Sequence, residues 1–310
     1  MTGTVLVAGG TGELGGRIVR ALRANGATVR VVARPGSDRA KINALSQAGA
    51  HVVIIDNWTV SELAGACQGV ACVVSALSGL GETIIDAQRT LLDAAIAAGV
   101  PRFIPSDYSI DFTKLPAGRN RNLDLRRAFH SYLDSAPIAA TTIFNGAFAD
   151  MITGQMPIIL FGLHRVLVWG NADQRIDFTT MDDTAAFTAK TALDETTPRF
   201  LRIAGDEKSL REVCTVVSDV TGKPFSLLRP GGLSLLGGLI RVARFVAPGK
   251  GELYPAWQGM QYMRDMLDGR AKTAVLDNDR YPDLRWHSLR DVLSDFLHRQ
   301  PAEPNQIGPA

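Results

Sequence analysis

Cysteine is scarce in this sequence. Three occur among 310 residues, Cys67, Cys72 and Cys214, and no two of them form a CxxC pair. An odd number of widely spaced cysteines argues against a disulfide scaffold and a zinc site, so we expect no metal centre. The sequence also lacks a strong excess of charge of one sign. Its 33 basic residues nearly balance its 31 acidic residues, which leaves a formal net charge of +2. This balance argues against nucleic acid or an anionic membrane as the main partner.

Hydrophobic runs long enough to cross a bilayer are also missing. The apolar stretch from Leu233 to Pro248 is interrupted by Arg241 and Arg244 and is too short for a membrane span. We expect a helix or cap packed on the protein, with contact to a membrane or a partner as the lesser alternative. The first strand begins by Thr4, which leaves no room for a signal peptide, so the expected location is cytoplasmic.

Glycine, by contrast, is concentrated near the start of the chain. The stretch TVLVAGGTGELGGRIVRALRANG, residues 4–26, passes from an apolar run into five glycines within eight positions, beginning at Gly9. From Leu14 onward the apolar spacing is helical. A strand, a glycine-rich turn and a helix N-terminus offer N–H groups to an anion, most often a pyrophosphate. Gly10 is expected to permit the tight turn, and Gly12 is expected to let the backbone approach the pyrophosphate. Gly15 is expected to allow the helix to pack close to the sheet.

Strand and helix patterns alternate through the first half of the chain. After the first strand, apolar runs predict further strands at 28–33, 51–55, 70–76, 102–105 and 138–144. This alternation predicts an α/β fold, a Rossmann-type doubly wound parallel sheet with a smaller C-terminal substrate-binding portion.

The regular alternation loosens after Asn145, which suggests where the parts of the chain divide. We predict a dinucleotide-binding domain over 1–150, a substrate-binding portion over 151–300 whose strands can intermix with the core, and a disordered tail over 301–310. In the second part, one helix is expected to be capped near Asp182 or Asp183. Another is expected to begin with a capping box formed by Ser209 and Glu212.

The end of the second predicted strand bears on the choice of cofactor. An NAD site usually places an acidic residue roughly 20 positions beyond the glycines, where it binds the ribose 2′-hydroxyl. Here that place holds Arg34, and no acid appears until Asp38. Arg34 and Ser37, with Arg39 or Lys41 nearby, suit a 2′-phosphate, so we predict NADP(H). The alternative is a solvated surface arginine.

Several segments together resemble the NmrA-like, atypical short-chain dehydrogenases. This family includes isoflavone reductase, phenylcoumaran benzylic ether reductase and the NmrA regulator. The similar segments are GGTGELG, VARPGS, AAGVPRFIPSDYSIDF, LRRAF and TTIFNGAF, and TTMDDTAAF, RFLRIAG and VTGK extend the likeness more weakly to residue 225. The resemblance implies an NADP-binding Rossmann domain and a substrate cleft formed largely by the C-terminal portion.

The resemblance also implies a set of cofactor contacts at the carboxyl ends of the strands. Arg34 and Ser37 would hold the 2′-phosphate, and Asp56 could face the adenine edge, although a turn residue is nearly as good an interpretation. The contacts expected with the pyrophosphate are Thr11, Gly12, Glu13 and Leu14. Those expected beside the ribose are Ser75, Ala76 and Leu77, and those near the nicotinamide are Pro105, Ser106 and Asn145.

The catalytic group is where this sequence departs from its relatives. No tyrosine has a lysine four residues later, so the YxxxK pair of ordinary short-chain dehydrogenases is absent. The reductase branch instead places a lysine four residues before an arginine pair. Here the pair is Arg126 and Arg127, and the corresponding residue is Asn122. Asparagine donates hydrogen bonds but is no general acid near neutral pH, and loss of a proton-transfer group typically lowers the rate by ~10²–10⁴.

Other residues could supply the proton. Tyr108 is our first choice, because it follows the fifth strand and a neighbouring cation could lower its pKa. Asn122 would then orient substrate or cofactor. Lys114 and His130 are further candidates, each also compatible with a surface or helix-face position.

The substrate side is indicated only by composition. Phe148, Met151, Trp257 and Tyr262 could line a flexible apolar cleft for an aromatic or apolar small molecule, together with Met156, Phe161 and Met263. Arg264 is a candidate anion contact. Two functions stay open: an NADPH-dependent reductase of a conjugated carbonyl, quinone or aromatic metabolite, or a non-catalytic NADP(H) sensor that acts through a protein partner. The sequence leaves open whether the chain forms a homodimer.

Overall fold

Six parallel strands form the central sheet of this protein. The computed structural model describes residues 3–154 and 156–299, so the predicted tail over 301–310 lies outside the described residues. The strand order is β3-β2-β1-β4-β5-β6. Their bounds are β1 (Thr4–Ala8), β2 (Thr28–Ala33), β3 (His51–Ile54), β4 (Val70–Ser75), β5 (Arg102–Ile104) and β6 (Ala139–Ala140). The predicted doubly wound fold is confirmed, and the order reverses between β1 and β4, where ligands of such sheets bind.

Helices cover both faces of the sheet because alternate strand residues are buried on opposite sides. Val5 and Val7 pack with α1 and with α6 (Met181–Leu193), whereas Leu6 and Ala8 pack with α3, α4 and α5. The helices of the first half are α1 (Glu13–Ala24), α2 (Arg39–Gln47), α3 (Val60–Cys67), α4 (Gln88–Ala97) and α5 (Arg121–Leu133), with a π-helical segment, Glu82–Ala87, directly before α4. Each fully buried aliphatic side chain contributes about 1.5–3 kcal/mol to this packing.

The second half builds smaller sheets around a separate hydrophobic core. Its strands are β7 (Thr142–Phe144), β8 (Ala147–Phe148), β9 (Ile159–Leu160), β10 (Arg165–Trp169), β11 (Arg175–Thr179), β12 (Phe200–Arg202), β13 (Asp206–Ser209) and β14 (Ser226–Gly231). Beyond α6, its helices are α7 (Leu210–Thr221), α8 (Leu233–Val246), α9 (Ala256–Leu267) and α10 (Leu289–Arg299). Among the described residues, no helix has the length and apolar character needed to cross a membrane.

Some sequence-based boundaries differ from the structure. The strand predicted over 138–144 is split, because β6 pairs with β5 while β7 pairs in parallel with the distant β12. The cap of α6 is Thr180 rather than Asp182 or Asp183, since the Thr180 side chain accepts from the Asp183 N–H at 3.0 Å. The Ser209–Glu212 capping box is confirmed. The division at residue 150 stays a prediction, and the β7–β12 pairing joins the two sides of it.

Candidate functional site

The glycine loop connects β1 to α1 at the carboxyl edge of the sheet. Gly9 has a φ of +82°, and a Cβ there would lie 2.5 Å from the Ala76 carbonyl oxygen, so the left-handed turn belongs to Gly9 rather than to Gly10. A Cβ on Gly15 would lie 2.1 Å from the Gly9 carbonyl oxygen. The helix can therefore begin this close to the strand only because Gly15 has no side chain. Gly12 caps α1 without a side-chain acceptor, which leaves first-turn N–H groups available to an anion.

An open cleft of about 770 Å³ runs beside this loop. Arg34 and Ser37 line it, and the Ser37 hydroxyl accepts from the Arg34 N–H at 3.2 Å. The other predicted contacts in its lining are Gly9, Thr11, Gly12, Ala76 and Leu77. A second open cleft across the loop is lined by Gly10 and Glu13, together with Arg20 and Lys41. Leu14 and Gly15 belong to neither lining.

The residues that follow β3 bear on the expected adenine contact. Asp56 is exposed and lies outside the lining, whereas Trp58, two residues further along, lines the cleft. The Trp58 indole N–H donates to the Ala87 carbonyl at 2.9 Å, which fixes the ring. Sequence analysis missed Trp58, Ser78 and Thr83 as lining residues. The position of Trp58 just beyond the third strand was the available signal.

Two buried polar side chains at the strand ends lack protein partners. The Ser75 hydroxyl, at the end of β4, and both amide atoms of Asn145, directly after β7, are buried without hydrogen-bond partners among the described residues. Buried polar atoms are rarely left unpaired, so these positions fit the ribose and the carboxamide of a bound dinucleotide. Ser106 is also buried, but its hydroxyl already donates to the Leu77 carbonyl at 2.6 Å. Pro105 is buried directly after β5.

An apolar pocket of about 570 Å³ lies beyond the ends of β5 and β7. It is lined by Tyr108, Ser109, Ile110, Arg126, Gly146, Ala147, Phe148, Met151, Met156, Tyr254, Tyr262 and Met266. Phe148, Met151 and Tyr262 are thus brought together as the sequence indicated. Trp257 is not, because it is buried elsewhere, with the guanidinium carbons of Arg121 and Arg244 4.7 and 5.3 Å from its ring centroid.

Tyr108 is among the lining residues of the pocket, but its hydroxyl is buried in the protein. The hydroxyl lies beside Thr188 of α6, outside good hydrogen-bond geometry, and near Cys72 of the central strand β4. Burial raises the pKa of Tyr108, so the expectation that a cation would lower it is wrong. Its role as proton donor stays a prediction.

Asn122 is buried at the start of α5, where its side chain is held by protein groups. Its Nδ2 donates to the Leu253 carbonyl at 3.1 Å, and its Oδ1 accepts from Arg121 Nε at 3.0 Å. Arg126, one turn later, donates to the Ser106 carbonyl at 3.1 Å and to the Asn122 carbonyl at 3.0 Å. These bonds fix a cation in the wall of an otherwise apolar pocket.

Lys114 and His130 lie outside the lining of the pocket. The Lys114 ammonium is 3.7 Å from the buried Asp111 carboxylate. His130 is buried against Asp107, with 2.6 Å between ring Nε2 and carboxylate oxygen. Phe161 and Met263 belong to the hydrophobic core of the second half, and Arg264 pairs with Asp265 at 2.9 Å. Sequence analysis missed Arg126, Tyr254 and Met266, which lie far apart along the chain.

The clefts beside the glycine loop, where the strand order reverses, define a Rossmann-type dinucleotide-binding protein, and the apolar pocket lies beyond the ends of β5 and β7. The model of the NmrA-like family matches residues 1–230. The chain belongs to the NmrA-like family.

Named relatives resemble the chain over nearly its whole length. Pinoresinol reductase 1 of Arabidopsis thaliana is 28% identical over 94% of this chain and 96% of its own. Bifunctional pinoresinol-lariciresinol reductase 1 of Linum usitatissimum is 31% identical over 94% and 98%. A solved structure described as "AtPrR2 with NADP+ and (+)pinoresinol" superposes with a TM-score of 0.80 at 25% identity, covering 96% of this chain and 99% of the other.

Proposed function

We propose that this chain is an NADPH-dependent reductase of small aromatic molecules. The relatives named above are reductases, and one of them is described with NADP+ and an aromatic ligand. Arg34 stands where an NAD site would carry an acid, and it lines the cleft beside the glycine loop. The cofactor of this chain is therefore NADP(H). The sensor alternative has no support among these relatives.

The apolar pocket at the nicotinamide end carries the proposal. Gly146, two residues beyond the end of β7, lines it together with Phe148, Met151 and Met156. Flat aromatic rings suit such a lining, because thioether and ring surfaces adapt to their shape and exclude water. When bound, reduced nicotinamide supplies the hydride. The chain orients the acceptor against the nicotinamide. Arg126 places a positive charge near the acceptor oxygen, which gains negative charge during hydride transfer. Conjugated carbonyls and quinones are the acceptors that we infer.

Loss of reduced-nicotinamide absorbance tests this function. The wild type is mixed with NADPH and a panel of aromatic ketones, quinones and pinoresinol, and at least one class is expected to turn over. Met151→Trp should fill the pocket and raise KM for that acceptor by about tenfold or more while NADPH affinity is kept. Leu163→Trp, at an exposed position, is the control. Tight NADPH binding without turnover of any acceptor would contradict the proposal.

A further inference from the structure

This inference concerns the source of the proton, and it rests on the proposed reductase function. We propose that the Tyr262 hydroxyl donates the proton to the substrate oxygen and that Asn122 is its positioning residue. Both come from helices that meet at the apolar pocket, α9 and the start of α5.

Helix α9 is fixed against the start of α5 by buried polar side chains. Gln258 donates to Asn120 Oδ1 at 2.7 Å, and Asp265 accepts from Asn120 Nδ2 at 3.2 Å. Gln261 accepts from the Arg121 backbone N–H at 3.1 Å. Gln258, Gln261 and Asp265 lie on one side of α9 and are almost fully buried. The adjoining Tyr262 is therefore held on a rigid element rather than on a loop.

The surroundings of the Tyr262 hydroxyl suit a proton donor. The side chains of Asn122, Arg126 and Tyr254 lie around it, and the Asn122 amide is outside good hydrogen-bond geometry to it. The Asn122 amide cannot turn away, because Leu253 and Arg121 hold both of its polar atoms. Tyr262 itself is partly buried in the pocket lining, so its hydroxyl can meet a ligand there.

The other polar residues in this lining are less suited to the role. The Ser109 hydroxyl is bound to the Asp107 carbonyl at 2.9 Å, and the Tyr108 hydroxyl is buried beside Thr188. Arg126 does not lose a proton in proteins. Tyr254 is 57% exposed and does not share the fixed position of α9.

The proposed step balances for a carbonyl acceptor. The carbonyl carbon would gain the hydride that a bound reduced nicotinamide supplies, and the C–O π pair would move to oxygen. The Tyr262 O–H bond breaks as the new O–H bond of the alcohol forms, and the phenolate regains a proton from water. Burial raises the pKa of Tyr262 to about 12, which keeps the phenol protonated at neutral pH. Transfer to an alkoxide is still downhill, because the pKa of an alcohol is close to that of water, about 15.7.

Two tyrosine variants with a matched control test the step. Tyr262→Phe should lower kcat for an aromatic ketone by ~10²–10⁴ and leave NADPH affinity unchanged. The loss should be smaller for a quinone, whose reduced anion can take its proton from water. Tyr132→Phe, at a surface position on α5, is the control. Full ketone activity in Tyr262→Phe would overturn the proposal, as would a large loss in Tyr108→Phe alone.

The positioning role of Asn122 is tested by a double-mutant cycle. Asn122→Ala should lower kcat about tenfold with little change in KM and should add nothing to Tyr262→Phe, because Asn122 acts only through the Tyr262 side chain. Additive losses would contradict this role and assign Asn122 a separate one.

A binding measurement separates this inference from the proposed function. Calorimetry on the NADP+ complex compares an aromatic ketone with the hydrocarbon that lacks its oxygen. Tyr262→Phe should weaken the ketone about tenfold and leave the hydrocarbon unchanged. If the wild type turns over no acceptor, the reductase proposal fails. The calorimetric comparison still decides whether Tyr262 contacts the ligand oxygen. Equal weakening of both ligands would overturn the inference.

Discussion

The guanidinium of Arg34 lies over the ring of Trp58, with 5.4 Å between the guanidinium carbon and the ring centroid. Cation–π contact restrains a long side chain that would otherwise move freely. Arg34 is therefore directed along the cleft before any cofactor arrives, and a second planar group could stack on the same indole.

Replacing Arg34 should change cofactor preference. An arginine–phosphate contact contributes ~1.5–3 kcal/mol, so the wild type should bind NADPH roughly 10- to 150-fold more tightly than NADH. Arg34→Asp should reverse the preference, as calorimetry with both cofactors would show. Arg241→Asp makes the same charge change at an exposed position on α8 and should leave the preference in place. Equal affinities in the wild type would remove Arg34 from this role.

Gly15→Ala should damage the cofactor site. Its Cβ would lie 2.1 Å from a backbone oxygen that no side-chain rotation can move, so the loop itself must shift. We expect weaker NADPH binding and a lower melting temperature. Gly65→Ala is the control, since its Cβ meets nothing within 4 Å in helix α3 and should stabilise the protein by roughly 0.5–1 kcal/mol. Similar melting temperatures for the two variants would refute the crowding argument.

Asn122→Lys places the relatives' lysine in this site. Because the family resemblance implies a lysine at this position, the sequence favours retained or increased activity, but the structure leads us to expect lower ketone reduction. The substitution removes a polar neighbour of Tyr262 and adds a cation beside Arg121 and Arg126. Burial and like charges would also lower the pKa of the new lysine. Ketone kcat over a pH series is the measurement, with the exposed Ala128→Lys on the same helix as control. A rise in kcat would favour the lysine mechanism of the relatives over Tyr262.

Stability should fall as the pH rises through neutrality. A hydrogen bond to Asp183, at 2.7 Å, raises the pKa of His287 above its ordinary value of 6.5. The folded state thus favours the protonated ring. The stabilisation that this ring gives the fold is complete below pH 6.5 and is lost as the pH rises through the folded-state pKa of His287. Urea midpoints across this range should show the decline, and His287→Gln should flatten it. His51→Gln, on an exposed strand position, should keep the wild-type slope; identical slopes in both variants would exclude His287 as the cause.

The fold was more predictable from the sequence than the polar side chains that line the apolar pocket. Buried parallel strands are continuous apolar runs, and the glycine spacing marks the nucleotide turn, so both can be recognised locally. Helix α9 was missed because Gln258, Gln261 and Asp265 look like solvent-facing residues until their partners near Asn120 are known. Tyr262 and Asn122 are likewise neighbours only through tertiary packing. No pattern in the sequence predicts the Tyr108 rotamer that buries its hydroxyl.

The pairing of β7 with β12 has a consequence during synthesis. Phe144 meets Arg202 in this ladder, so the edge of β7 has no partner until roughly 60 further residues have been translated. At ~5–20 residues per second, that interval lasts about 3–12 s. During this time the nascent chain exposes an apolar strand edge of the kind that attracts chaperones or other nascent chains. Slow codons between residues 145 and 200 would lengthen the exposure, and yield of folded protein should respond to synonymous changes there.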